Sequence, residues 1–217
     1  MHHVSTISTC PVGGDETSRL GFEAALASTP YALSKWLAEH HVLHARDAGV
    51  PVAIYRPAMI SGHSANGDHN PDDLVHRYLA GCIELGGYID RDDARQDLTP
   101  VDFVAAAIAA LVATGARGTY HLANADQSPS FAALGRALVA AGHVVVPLDY
   151  AAFRARLVQH SSSRLHPLLP FFPEAFSLGS GPYPCTATLA ALAPLGVVRP
   201  PIDDTILAVY AAAVAAR

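Results

Sequence analysis

Two hydrophobic periods alternate along this chain. Positions 52–55, Val-Ala-Ile-Tyr, form a continuous apolar, β-rich run that ends at Arg56-Pro57, where proline cannot extend a ladder. Positions 3–7 read as the end of a buried strand running into a polar corner at Ser5-Thr6, and 118–122 and 144–148 as further short strands. Between these runs the spacing is helical. Positions 32–47 are rich in Ala and Leu, carry Trp36, Leu37, Val42 and Leu43 for a buried face, and are stopped by Gly49. Positions 72–85 place Leu74, Tyr78, Leu79 and Cys82 on one face. Thr99 predicts an N-cap, with Pro100 as the first helical residue, for a helix to Ala113; Ser130 predicts the cap of a helix to Ala141. Positions 150–159, 188–195 and 203–216 complete the helices. Loops are expected at 10–30 and 61–71, and a proline-rich, aromatic stretch at 161–184.

Strands alternating with helices predict an α/β fold with a partial Rossmann-like parallel sheet, the last strands of a doubly wound fold. A composition shift near position 125 suggests a catalytic part at 1–125 and a mainly helical, substrate-binding lobe at 126–217. Of 217 residues, 51% are hydrophobic and 15% charged, which excludes an intrinsically disordered chain. The formal charge of -5 gives no attraction to phosphate backbones, so a nucleic-acid partner is not expected. The three cysteines, far apart and without a CxxC, fit a reducing compartment. With no apolar stretch long enough to span a bilayer, the expectation is a cytoplasmic protein without a membrane partner.

The chemistry centres on Tyr31-Ala-Leu-Ser-Lys35. Residues four apart on a helix project from one face. Phenols ionise near pH 10, and a nearby ammonium stabilises the phenolate, bringing acid–base work toward neutrality. A hydroxyl at Thr6 or Ser5, at a strand end, would bond a substrate carbonyl oxygen. Such a set protonates an alkoxide as it forms, which requires a hydride that no side chain supplies.

Several segments, in order, resemble the terminal thioester reductase domains of nonribosomal peptide and polyketide synthetases, within the extended short-chain dehydrogenase group. They are His3-Val-Ser-Thr-Ile-Ser8, then Tyr31-Ala-Leu-Ser-Lys35-Trp36-Leu-Ala-Glu39, and Val52-Ala-Ile-Tyr-Arg56-Pro57-Ala-Met-Ile60-Ser-Gly62. Gly81 to Gly86 and Leu98-Thr-Pro100-Val-Asp102 continue the series. The resemblance implies a catalytic triad of Thr6, Tyr31 and Lys35. It implies cofactor contacts from Ser5, Tyr31 and Lys35, and from Pro57, Ala58, Met59 and Ile60 beside a nicotinamide. It also implies NADPH as reductant, and an acyl or peptidyl thioester on a phosphopantetheinyl carrier protein as substrate, released as aldehyde or alcohol.

Family members also carry a strand, a glycine-rich turn and a helix that hold the pyrophosphate. Gly13-Gly14 and Gly179-Ser-Gly181-Pro182 do not have that context. The strand at 3–7 is therefore expected to be an open sheet edge, covered by a second chain or an upstream segment that supplies the nucleotide-binding half. Two alternatives stay open: a cofactor-free module that binds the carrier or releases its cargo without redox chemistry, and a nucleotide-sugar epimerase or dehydratase. His40 and His44 have metal-compatible spacing but no third ligand, so no metal is expected. Asp72-Asp73, Asp92-Asp93 and Asp102 read as helix-start or solvated carboxylates. Phe171, Phe172, Phe176 and Tyr183 line either an acyl channel or a packed lid.

Overall fold

The computed structural model describes residues 1–124, 128–175 and 181–215. Phe176, Gly179, Ala216 and the division expected near residue 125 lie outside them. A three-stranded parallel sheet in the order β1–β2–β6 joins β1 (His2–Val4), β2 (Ala53–Pro57) and β6 (Gly118–Leu122). Two parallel pairs flank it. One joins β3 (Met59–Ser61) to β5 (Leu98–Pro100), and the other β4 (Gly87–Ile89) to β7 (Val146–Leu148). The helices are α1 (Phe22–Leu26), α2 (Pro30–Asp47), α3 (Leu74–Leu85), α4 (Val101–Ala113), α5 (Phe131–Ala140), α6 (Tyr150–Gln159), α7 (Thr186–Leu192) and α8 (Asp204–Ala215).

Strand β2 is buried along its whole length because it is the middle strand and both its faces are covered. Its side chains alternate. Ala53 and Tyr55 join Phe103, Val104, Ala107 and Leu111 of α4, Leu122 of β6 and Leu192 of α7. Ile54 faces the other way, onto Val42 and Leu43 of α2. A larger core unites α3, β4, α5, α6 and α8 through Leu79, Ile89, Leu134, Phe153 and Tyr210. Residues on both sides of position 125 thus share one core.

Capping explains most helix starts. Thr29, Asp73, Ser130 and Asp149 each accept from an amide in the first turn of α2, α3, α5 and α6. The expectation at α4 is corrected. Thr99 lies in β5, fully buried, with its hydroxyl donating to Asp97 Oδ1 at 3.0 Å; Pro100 is the cap residue and Val101 begins the helix. The strand expected at 3–7 is shorter. The ladder reaches Ser5, whose amide donates to the Tyr55 carbonyl at 2.7 Å, and Ile7–Thr9 then closes a 3₁₀ turn with Thr6 as its cap. The expected 10–30 loop contains α1, which has no side-chain cap. Among the described residues no helix is long and apolar enough to cross a membrane.

Candidate active site

The carboxyl ends of β1, β2 and β6 open on one side of the sheet, the usual place for ligands in parallel α/β folds. Thr6 follows β1 there, and Ala58, Met59 and Ile60 follow β2. Helix α2 runs beside them, against the 3₁₀ turn. Pro30 occupies its first position, two residues earlier than the spacing suggests, so Tyr31 sits in the first turn. The Tyr31 side chain is 55% exposed and has no hydrogen-bond partner among the described residues. Lys35, one turn further on the same face, is half-buried and forms no ion pair among them. Thr6 is 6% exposed; its hydroxyl meets the Ser8 amide and hydroxyl only at 3.4 Å, long enough to yield to a better partner. These three side chains share no hydrogen bond with one another.

The other expected residues divide. Pro57 is buried at the end of β2, Ala58 and Met59 are half-buried, and Ile60 is 37% exposed. The Ala58 amide donates to the Leu122 carbonyl at 3.0 Å, which fixes this segment to β6. Ser5 turns inward: its buried hydroxyl donates to Glu39 Oε2 at 2.6 Å, so its side chain is committed to the interior. Met59 also lines an apolar cavity with Leu74, Tyr78, Phe131, Phe171 and Phe172, in which Gln96 is the one amide.

A buried polar network lies next to these residues. Ile54 and Arg56 share a face of β2, while Glu39 lies one turn before Val42 and Leu43 on α2, so the two periods bring Glu39 and Arg56 together. Both side chains are almost wholly buried, at 2% and 1% exposure. Arg56 Nε donates to Glu39 Oε2 at 3.2 Å, and Nη2 donates to Oε1. Ser5 and Thr9 add donors to Oε2, at 2.6 and 3.0 Å. Burial pushes the Glu39 carboxyl toward its neutral form, but the Arg56 hydrogen bond and charge and the two hydroxyls outweigh it, holding the pKa below its ordinary value.

The other nitrogen of Arg56 donates to the Ser18 carbonyl at 2.7 Å and meets His121 Nε2, its registered neighbour on β6, at 3.3 Å. Because the Pro184 carbonyl, 3.1 Å from His121 Nδ1, can only accept, Nδ1 carries the proton and Nε2 accepts from Arg56. That neutral tautomer agrees with a His121 pKa lowered chiefly by burial. Further along, Glu16 accepts from the amide and hydroxyl of Thr188, pinning the 10–30 segment to α7. Neither Glu39 nor Arg56 has a role that spacing alone reveals. The signal was a carboxylate one turn past Lys35 and an arginine ending an apolar strand.

The remaining carboxylates do structural work: Asp73 caps α3, Asp102 receives the Ser64 amide and hydroxyl, and the exposed Asp92 and Asp93 pair with Arg136 and Arg91. His40 stacks on Trp36 and meets His44 edge-on. Among the described residues no group of three or more metal-ligating side chains converges.

A nicotinamide cofactor can be tested against these residues. Segment 58–60 at the strand ends, the exposed Tyr31 and the half-buried Lys35 suit its nicotinamide-ribose end. Among the described residues no strand, glycine-rich turn and helix form a pyrophosphate cradle; at Gly14 a Cβ would meet Cys10 Sγ and Ser18 Cβ at 2.8 Å, so that glycine serves the packing of its own loop.

Comparison with known proteins bears on the family and the fold. Residues 1–108 match the family described as male sterility protein, an NAD-binding domain. The nonribosomal peptide synthetase FrzA of Cladobotryum sp is 34% identical over 178 residues, covering 78% of this chain and 17% of FrzA. The aldehyde reductase lnaA of Aspergillus flavus is 31% identical over 198 residues, covering 82% of this chain and 19% of lnaA. The chain thus spans less than a fifth of the length of these relatives. Among solved structures, the terminal R domain of the myxalamid PKS-NRPS pathway superimposes with a TM-score of 0.84 at 35% identity, over 99% of this chain and 57% of that one. The reductase domain of a nonribosomal peptide synthetase from Mycobacterium tuberculosis, at 24% identity, shares the fold with a TM-score of 0.76 over 96% and 58%. Residues 1–108 belong to the male sterility protein family of NAD-binding domains, and the chain is related to the terminal reductase domains of nonribosomal peptide synthetases.

Proposed function

We propose that this chain carries the catalytic side chains of an NADPH-dependent reductase that releases an acyl or peptidyl group from a phosphopantetheinyl carrier protein as an aldehyde. The reading rests above all on one observation: an exposed, unpartnered phenol at Tyr31 stands one turn from Lys35, beside the carboxyl ends of a parallel sheet. Kinship with synthetase reductase domains and an aldehyde reductase supports the substrate class.

The bound dinucleotide supplies a hydride to the thioester carbon. Thr6 and Tyr31 donate hydrogen bonds to the carbonyl oxygen, polarising it and fixing which face is presented. As the oxygen gains charge, Tyr31 gives up its proton to it, leaving a neutral hemithioacetal and a phenolate that Lys35 stabilises. The hydroxyl proton then returns to the Tyr31 phenolate as the carbon–sulfur bond breaks; the aldehyde forms, and the thiolate takes a proton from solvent to leave as the carrier's thiol. Pro57, Ala58, Met59 and Ile60 would wall the nicotinamide, with Ser5 contributing through its backbone. The apolar cavity past Met59 receives the acyl group, which makes Phe171 and Phe172 part of a channel wall. The 126–217 portion, sharing its core with α3 and β4, forms the substrate lobe. The pyrophosphate end is held by a segment or partner that pairs with the open edge of β1.

The test is oxidation of NADPH in the presence of an acyl-pantetheine thioester, using the chain together with a polypeptide that carries the dinucleotide-binding turn. Tyr31→Phe is expected to lower kcat at least about 100-fold, the lower range for a lost general acid, and to leave the circular dichroism spectrum unchanged. Full activity in that variant overturns the proton-donor role. NADPH fluorescence that never changes, with or without the partner, favours a cofactor-free carrier-binding module instead.

A further inference from the structure

We infer that Glu39 is a positioning residue that holds the two halves of the reactive centre in register. Resting on the assignment of Thr6, Tyr31 and Lys35 above, it starts from the fact that those residues come from different segments and share no hydrogen bond. One carboxylate joins the segments. Ser5 and Thr9, which bracket Thr6, both donate to Glu39 Oε2, at 2.6 and 3.0 Å. Glu39 itself belongs to α2, one turn after Lys35 and two after Tyr31. Thr9 Oγ1 lies 3.0 Å from Glu39 Oε2 and 2.9 Å from the Thr6 carbonyl, so its one proton is shared between the carboxylate on the helix and the turn that presents Thr6.

Arg56 makes the tie rigid. Its guanidinium is fixed in turn by the Ser18 carbonyl and His121, so the charged pair cannot rotate without breaking bonds to β6 and to the 10–30 segment. A planar fork facing a carboxylate admits one geometry, which a neutral contact would not enforce. Among the described residues the exposed end of α2 lacks such anchors: the hydrogen bond from Trp36 Nε1 to the Leu20 carbonyl at 2.9 Å reaches a loop rather than the sheet. Placement of Tyr31 relative to Thr6 therefore passes through Glu39.

Glu39→Gln, Glu39→Asp and Thr9→Val test this in the full chain. Backbone hydrogen exchange is read at residues 5–9 and 30–38, with residues 131–140 and 150–159 as reference. Glu39→Gln is expected to speed exchange at least tenfold in both of the first two segments and less than twofold in the reference helices. Turnover, measured as above, is expected to show kcat reduced 10- to 100-fold with KM for the thioester within threefold, and Glu39→Asp recovering to within about fivefold of wild type. A purely stabilising role predicts faster exchange throughout and a loss set by the folded fraction, and either result overturns the inference. So does loosening of one segment alone. If Glu39→Gln does not fold, Thr9→Val removes one arm and keeps the ion pair; it is expected to loosen residues 5–9 and lower kcat three- to tenfold, and unchanged exchange and kcat would be fatal to the idea. A wild-type chain that shows no turnover with its partner refutes the reductase reading, while the exchange pattern still decides whether Glu39 couples the segments.

Discussion

A buried carboxylate survives in this interior because four donors surround it. Glu39 receives two bonds from Arg56 and one each from Ser5 and Thr9, enough to offset the burial that would otherwise neutralise it. Removing one partner of such a pair costs about 3–5 kcal/mol, since the other charge stays buried. The cysteines show the opposite case. All three are buried, and burial pushes the Cys82 thiol up to about 12 and Cys185 up to about 11, with Cys10 also raised. Thiolate is the reactive form, so none should be alkylated by iodoacetamide at pH 8 in the native chain, whereas all three should react in guanidinium chloride. Mass spectrometry counts the adducts; rapid native labelling at any of the three would contradict the burial. Sequence pattern alone identified Tyr31 and Lys35 as neighbours, because four-residue spacing on a helix settles that locally. That the Ser5 hydroxyl bonds Glu39 was not legible in the pattern, since only the packed helix brings that carboxylate to it.

At the scale of elements, helix α5 lies so close to β4 that a Cβ on Gly135 would fall 2.0 Å from the Tyr88 ring. Two effects compete in Gly135→Ala. Alanine gains about 1 kcal/mol in helix propensity. Forcing a methyl group into a filled contact costs about 1–3 kcal/mol. At 2.0 Å, inside any real Cβ contact, the clash wins, and the urea midpoint is expected to fall; a rise would show that Tyr88 swings aside freely. Caps at Thr29, Asp73, Ser130 and Asp149 set where α2, α3, α5 and α6 begin. Ser130 was recognisable in the sequence because a capping hydroxyl and an apolar run are adjacent. Thr99-Pro100 carried the same signature, yet pairing of Met59 with Leu98 drew Thr99 into a strand. Nonlocal ladder bonds override a local cap preference where the two compete for one residue.

For the whole molecule, the consequential feature is the open side of β1. It pairs only with β2 among the described residues, and Val4 is 49% exposed. Unpaired backbone groups at such an edge recruit another strand. The isolated chain is expected to associate with rising concentration in sedimentation velocity, and Val4→Lys to shift it toward monomer; a concentration-independent monomer would show the edge to be inert. Taken alone, the sequence determined the alternation of strands and helices and the one-turn spacing of Tyr31 and Lys35, since each depends on contacts within a few residues; it set the start of α2 two residues late and put Leu37, which is 45% exposed, on the buried face. Tertiary structure decided the rest. It placed Arg56 beneath α2, joined residues on both sides of position 125 in one core, and gathered Met59 with Phe171 and Phe172 around one cavity. Those outcomes depend on strand order and helix packing, which bring together residues dozens of positions apart, and no local spacing encodes such distances.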